Sequence, residues 1–211
     1  MMEKVTWLCI CGTSLLITVS SFAERIYNEA NGLVIMEAEN TESPYDGWDF
    51  YTVGAAGYPA GATGTGHLEY KRYGPDGWGV PSSPLVYTFK INKAGVYRVF
   101  LRAHKRLNPG DGSDQHNDCF VRMEGDFQSG SDDVALSALL TDSKLYGGSA
   151  TEWSRATNMD APGADHVPVY YEFKAGGFIL SRFQGVRINS IWIALCLPTV
   201  IWVTGPTIPY L

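Results

Sequence analysis

Aromatic rings crowd the segments between the apolar runs of this chain: Tyr45, Trp48, Phe50, Tyr51, Tyr58, Tyr73, Trp78, Tyr146 and Trp153. A flat ring offers an apolar face on which the axial C–H groups of a pyranose pack, whereas sugar hydroxyls require side chains that form several hydrogen bonds. Arg102, Asn117 and Gln184 are of that second type. The pattern suits a ring-lined cleft, with a few rings touching a ligand and the rest covering the undersides of loops.

A second chemistry is open to the acids. Asp111, Asp114, Asp118, Asp132 and Asp133 lie in or beside loops, and a glycosidase needs only two carboxyls about 5 to 10 Å apart across a cleft. Loop acids are more often simply solvated. No nucleophile elbow, HExxH, P-loop or dinucleotide fingerprint occurs. The stretch from Pro109 to Asp118 is rich in oxygen donors but lacks the spacing of an EF-hand loop, so a polar surface loop is the expected form. Asp118 stands apart, because it enters a strand where a carboxylate would bond backbone amides.

The elements that must hold these residues read as strands. Period-two alternation runs through 33–39, 67–73, 85–91, 96–104, 119–124, 167–173, 178–183 and 186–195. In 96–104, Tyr97, Val99, Leu101 and Ala103 share one face and Arg98, Phe100, Arg102 and His104 the other. Asn92 to Gly95 forms a tight connection, and Lys174 to Gly177 is expected to close a hairpin. No stretch sustains a helical period. Each strand has one apolar face, which predicts an all-β antiparallel β-sandwich with long loops at 40–66, 74–84, 105–117 and 126–165.

Composition agrees. Apolar residues make up 45% of 211, charged residues 18%, and there are 23 Gly and 11 Pro, as in a globular, turn-rich chain. With 16 Lys and Arg against 22 Asp and Glu, the net charge is −6, which argues against a nucleic-acid partner.

Residues 1–23 have a charged start, an apolar region and the small-x-small end Ser21-Phe22-Ala23 of a cleavable signal peptide. A secreted, periplasmic or cell-surface location follows, with no membrane span after cleavage. Residues 24–195 then form one domain and 196–211 an apolar C-terminal extension, since no charge follows Arg187 and Pro198, Pro206 and Pro209 break a membrane helix. Cys119 and Cys196 lie in apolar stretches, either as two buried thiols or as a pair.

The order of several motifs resembles carbohydrate-binding modules of families 6 and 35. These are the run from Ile35 to Asn40, Gly64 to Tyr70, Tyr87-Thr88-Phe89, Ala94 to Arg102, Asn117 to Arg122, Trp153, Phe173 to Leu180, and Val186 to Ile193. The resemblance covers roughly residues 33–195. It implies a galactose-binding-like jelly roll, lectin-like and non-catalytic, often beside a glycan-degrading hydrolase or lyase and often carrying one structural calcium. The family's calcium ligands map to Glu37, Glu39 and Asn189, where Asn replaces the usual Asp and removes a charge. Simple alternation, by contrast, would turn Glu37 and Glu39 to water. By order along the chain, the family's sugar contacts fall at Trp48 or Tyr51, Trp153 and Gln184.

The leading expectation is therefore a secreted, non-catalytic module that binds a polysaccharide or oligosaccharide. Its site residues would be Trp48, Tyr51, Arg102, Asn117, Trp153 and Gln184. The alternatives are a small glycoside hydrolase or polysaccharide lyase using loop carboxylates, and a surface structural or adhesion protein docking through its uncharged tail.

Overall fold

Alternating residues decide which face of each strand enters the core, and the computed structural model follows that pattern closely in its central strands. It describes residues 25–70, 82–107, 109–114, 116–161, 163–185 and 200–204. The strands are β1 (Ile26–Asn28), β2 (Leu33–Met36), β3 (Trp48–Thr52), β4 (Gly66–Tyr70), β5 (Ser82–Lys90), β6 (Gly95–Ala103) and β7 (Asp118–Glu124). They continue with β8 (Phe127–Ser129), β9 (Ser143–Gly147), β10 (Ser154–Ala161), β11 (Ala164–Pro168), β12 (Tyr170–Phe173), β13 (Phe178–Gly185) and β14 (Val200–Thr204). A 3-10 turn at Ala38–Asn40 and a single helical turn, α1, at Leu136–Leu139 complete the described elements.

The main ladder runs β1-β5-β13-β7-β9-β10-β6-β12-β8, with β14 joining β6 to β2, and β3 and β4 form a separate hairpin. The ladder doubles back on itself. Phe89 of β5 packs edge-on against Phe173 of β12 at 5.7 Å, and Tyr97 of β6 meets the same ring at 5.5 Å. Rings from distant strands of the ladder meet in this way only when the two halves lie face to face, which makes a β-sandwich. Tyr97, Val99 and Leu101 are wholly buried and fill this interior together with Phe89, Phe183 and Tyr171.

Two of the arches that link the layers lie side by side. The expected hairpin at Lys174 to Gly177 is not one, because β12 pairs with β6 and β8 whereas β13 pairs with β5 and β7. The connection from β5 to β6 crosses in the same way, and the arches bond to each other, Gly176 N donating to Ile91 O at 2.7 Å and Ile91 N to Gly177 O at 3.0 Å. Turn residues identify a reversal of direction, but not whether the returning strand joins the same sheet or the facing one.

Other differences concern the loops. Residues 126–165 hold β8, α1, β9, β10 and part of β11, and the segment 40–66 holds β3. Their apolar alternation is thin: in β10, between Ser154 and Asp160, Ala156 and Met159 turn fully inward. The expected strand 167–173 divides at Val169, whose carbonyl accepts from Val99 N and whose N–H donates to Thr157 O, so β11 lies on β10 and β12 on β6. Among the described strands β1 and β5 pair parallel, and the other strand pairs are antiparallel.

Within the apolar stretch at the end of the chain, β14 pairs antiparallel with both β2 and β6. Residues 1–23, the expected strand 186–195, Asn189 and Cys196 lie outside the described residues, and Cys119 is buried in β7. Among the described residues no helix is long and apolar enough to cross a membrane.

Candidate functional site

The outward side chains of β6 continue past its end as His104 and Arg106, and there they meet the β3–β4 hairpin. All five residues of β4 are buried. Leu68 and Tyr70 point one way, Tyr70 packing on Trp48 at 5.0 Å, while His67 and Glu69 occupy the alternate positions.

Around His67 the rings close in: Tyr58 at 4.4 Å, Tyr51 stacked at 5.5 Å and Trp153 edge-on at 5.5 Å. His104 lies 5.9 Å from the Trp153 ring, and the Arg102 guanidinium sits over that ring at 5.8 Å. Trp153 is held in place by its indole N–H, which donates to Pro59 O at 3.2 Å. The chain crosses this stack closely at Gly61, where a Cβ would lie 3.5 Å from Trp153 Cδ1 and φ is +101°. The positive φ favours glycine there, while the Cβ distance is an ordinary contact.

One half of the cluster is saturated with partners. Glu69 is fully buried; Arg106 Nη1 donates to both its oxygens at 3.3 Å, and the Tyr58 hydroxyl also donates to it. The Arg106 guanidinium stacks on Tyr58 at 5.0 Å and bonds its hydroxyl at 3.0 Å. Burial, reinforced by the Glu69 hydrogen bond, pushes the Tyr58 hydroxyl far above its ordinary range. It stays a donor at any physiological pH.

The other half is not saturated. His67 Nδ1 and Nε2, His104 Nδ1 and Arg102 Nη1 are all buried without a hydrogen-bond partner. Burial lowers the pKa of both histidines, and the Glu69 charge opposes this for His67. His104 Nε2 donates to Ala150 O at 3.0 Å, which leaves Nδ1 as an acceptor. Each buried polar atom left unmatched costs on the order of 1–3 kcal/mol, so these atoms ringing Trp153 form an arrangement that a polar ligand or ordered water would stabilise.

A second feature lies beside β2. Glu39 does not alternate out to water, because β2 ends at Met36 and a 3-10 turn follows that buries it, while Glu37 stays partly exposed. The turn is held by the Tyr87 hydroxyl on Ala38 O at 2.7 Å and by the Tyr45 hydroxyl on Glu39 O. Glu39 Oε1 accepts from Thr65 N at 2.7 Å and Thr65 Oγ1 at 3.0 Å, and Glu37 Oε2 accepts from Thr63 Oγ1 at 3.0 Å. A Cβ at Gly64, where φ is +62°, would collide with Glu39 Oε1.

Glu39 Oε2 is buried with no partner. Two carboxylates with one orphaned oxygen match the donor chemistry of a hard cation. Among the described residues no three His, Cys, Asp or Glu converge to hold a metal, and the third expected ligand, Asn189, lies outside them.

Of the expected sugar contacts, the structure brings together Tyr51, Arg102 and Trp153. Trp48 is 3% exposed, packed on Tyr70 and donating its N–H to Ser83 O at 2.9 Å, so its faces serve the core. Asn117 stands at the start of β7, its carbonyl accepting from Gly147 N at 3.1 Å. Gln184 lies on β13 opposite Phe120.

Of the loop acids, Asp111 and Asp118 are engaged elsewhere, and Asp114, Asp132 and Asp133 are exposed. Asp111 pairs with His116 at 3.1 Å, both nearly buried. Asp118 is raised by burial, with Lys144 at 3.9 Å opposing the shift. Lys144 itself sits closer to Asp160, at 2.7 Å. His67, Glu69, His104 and Arg106 were not among the expected site residues. Their signal in the sequence is alternation: titratable side chains at every second position of β4 and along the outward row of β6.

No family model and no curated protein matches the sequence. In three dimensions the chain is similar to a Podospora anserina GH26-CBM35 β-(1,4)-mannanase, at 13% identity and a TM-score of 0.45, over 85% of this chain. It spans only 29% of that enzyme. It is also similar to a family 35 carbohydrate-binding module from Paenibacillus barcinonensis, at 14% identity and a TM-score of 0.46, over 81% of this chain and 98% of that one. A family 35 module from Clostridium thermocellum matches at 13% identity and a TM-score of 0.42, over 82% and 98%.

Proposed function

We propose that this chain binds carbohydrate without cleaving it and that the ligand seats against Trp153, with Tyr51 and Tyr58 beside it and Arg102, His67 and His104 supplying polar contacts. The observation that carries the reading is the coincidence of partly exposed rings with buried, unpartnered nitrogens of three different side chains. A sugar has this dual character, an apolar C–H face and a rim of hydroxyls that both donate and accept. The motif order that resembles family 6 and 35 modules points the same way. The pairing of Asp111 with His116 and the burial of Asp118 beside Lys144 leave these acids poorly placed as an acid–base pair.

In this reading the module is exported and works at or outside the cell surface, beside a glycan-degrading enzyme. Glu37 and Glu39 hold a structural calcium that pins the turn at Ala38–Asn40 to the Thr63–Thr65 segment, with Asn189 as the remaining ligand. The test is retention of the purified protein on insoluble polysaccharides, with calcium and with chelator, Trp153→Ala beside the wild type. Retention weakened by the substitution, with no soluble sugar released, is the expected result. Release of product would move the reading to catalysis, and no retention on any polysaccharide would end it.

A further inference from the structure

Among the described residues, the buried polar atoms left unmatched around the Trp153 ring are nitrogens of His67, His104 and Arg102. The Arg102 nitrogen can only donate, whereas a neutral imidazole carries one lone pair. The carboxylate of the cluster, Glu69, already accepts from Arg106 and from the Tyr58 hydroxyl. Acceptor capacity beside Trp153 therefore rests on imidazole nitrogen.

Of the two rings, His104 is the better defined. Its segment is anchored where Lys105 N donates to Ser149 O at 2.7 Å, and its ring where Nε2 donates to Ala150 O at 3.0 Å. A carbonyl oxygen cannot donate, so the proton of the neutral ring sits on Nε2 and Nδ1 presents a lone pair. His104 is 8% exposed, and Nδ1 has no partner. A buried acceptor held in one tautomer by the backbone discriminates by hydrogen-bond polarity, because a ligand atom without a proton leaves it unmatched.

The charged and titratable groups about this ring are Arg102, Lys105 and Arg106 on its own segment, His67 and Glu69 on β4, and the exposed Glu152 next to Trp153. Burial lowers the His104 pKa; the Ala150 hydrogen bond opposes this, and the Arg106 charge adds to it. Protonation would turn Nδ1 from acceptor to donor and set a further cation beside Arg102 and Arg106.

We propose that His104 Nδ1 is the acceptor by which the Trp153 site selects a free sugar hydroxyl, and that protonation of this ring in acid closes the site to such a ligand. A hydroxyl can donate to Nδ1 and accept from Arg102 Nη1, whereas an O-methylated position lacks the proton and sets one lone pair against another. The proposal rests on the carbohydrate reading above and gives that site a selectivity and a regulation by pH.

The experiment measures affinity of the whole protein for dextran, galactan and xylan, each native and O-methylated, from about pH 7.5 down to about pH 4.5. Wild type is compared with three variants. His104→Gln keeps a donor toward Ala150 O and loses the Nδ1 acceptor, His104→Asn keeps an acceptor where Nδ1 lies, and Trp153→Ala removes the ring. Thermal melting at each pH confirms folding. Near neutral pH a native polysaccharide should bind more tightly than its O-methylated form, His104→Gln should weaken it about tenfold, and His104→Asn should recover part of that loss. Wild-type affinity should fall in acid by at most about tenfold per pH unit, and the fall should flatten in His104→Asn.

Equal binding of native and O-methylated polysaccharide, wild-type affinity that is level across the pH range, His104→Gln binding like wild type, or an acid fall that persists in His104→Asn overturns the inference. The first two arms need no variant and decide the matter even where a substitution unfolds the chain. In each case Trp153-dependent retention leaves the carbohydrate reading standing, whereas no retention on any of the polysaccharides overturns both.

Discussion

The two ends of β6 bury polar groups in opposite ways. At the Gly95 end, Glu29 is 4% exposed and its carboxylate accepts from the backbone N–H groups of Gly32, Lys93 and Asn92 at 2.5, 2.7 and 3.1 Å, while its own carbonyl accepts from the Asn92 amide at 2.6 Å. At the His104 end, Arg102, His67 and His104 retain buried nitrogens with no partner. A polar group with every bond made contributes to stability and specifies one arrangement of the chain. A group left unmatched costs stability and persists where a ligand completes it. By that difference the Gly95 end is self-sufficient architecture, whereas the His104 end leaves unmatched groups for the ligand proposed above.

The largest expected effect tests the architectural end. Glu29→Ala orphans three backbone N–H groups at once and should lower unfolding stability by roughly 3 kcal/mol or more, read from the denaturant midpoint, with glycan affinity unchanged while the protein remains folded. A strong loss of affinity with little change in midpoint would erase the contrast between the ends. Next, calcium should raise the melting temperature of the wild type, by about 2.7 kcal/mol of stabilisation at a hundredfold excess over its dissociation constant. Glu39→Gln should abolish that rise; an equal rise in the variant would place the ion elsewhere.

At the binding end, Trp153→Ala should weaken polysaccharide binding about tenfold, roughly 1.4 kcal/mol, while its denaturant midpoint moves less than that of Glu29→Ala. The smallest effect is a pH dependence. His67 and His104 titrate below their ordinary 6.5 because burial disfavours the charged ring. The unfolded chain therefore takes up protons first, and stability is full above about pH 6.5 and falls as pH drops below it. The slope is at most about 1.4 kcal/mol per pH unit for each histidine. Denaturant midpoints at pH 7.5 and 5.5 would reveal it, and His67→Asn/His104→Asn should flatten the fall; an unchanged slope would assign it to other groups.

Much of the fold was legible. The alternation of Tyr97, Val99, Leu101 and Ala103 with Arg98, Phe100, Arg102 and His104 specifies both faces of β6, because a strand has a period of two and water sorts the side chains. β9 and β10 were read as loop, since Leu145, Ala156 and Met159 make too sparse an apolar row to stand out, yet pairing on both sides recruits them into the ladder. Trp48 and Trp153 show the limit at the site. Both are tryptophans in long irregular segments, and composition ranks them alike. Trp48 begins a strand whose partner Tyr70 covers it, while Trp153 precedes one and stays at the rim.

Local chemistry alone thus determined that the chain is all-β, which faces of its central strands are apolar, and that rings and arginines are available for a ligand. The tertiary structure decided that the arches cross between layers, that Glu39 turns inward against the Gly64 segment, and that His67 and Glu69 meet Arg106 and Trp153. Those contacts join residues far apart in the chain, and their geometry follows from how the β3–β4 hairpin packs at the end of β6, which no local pattern encodes.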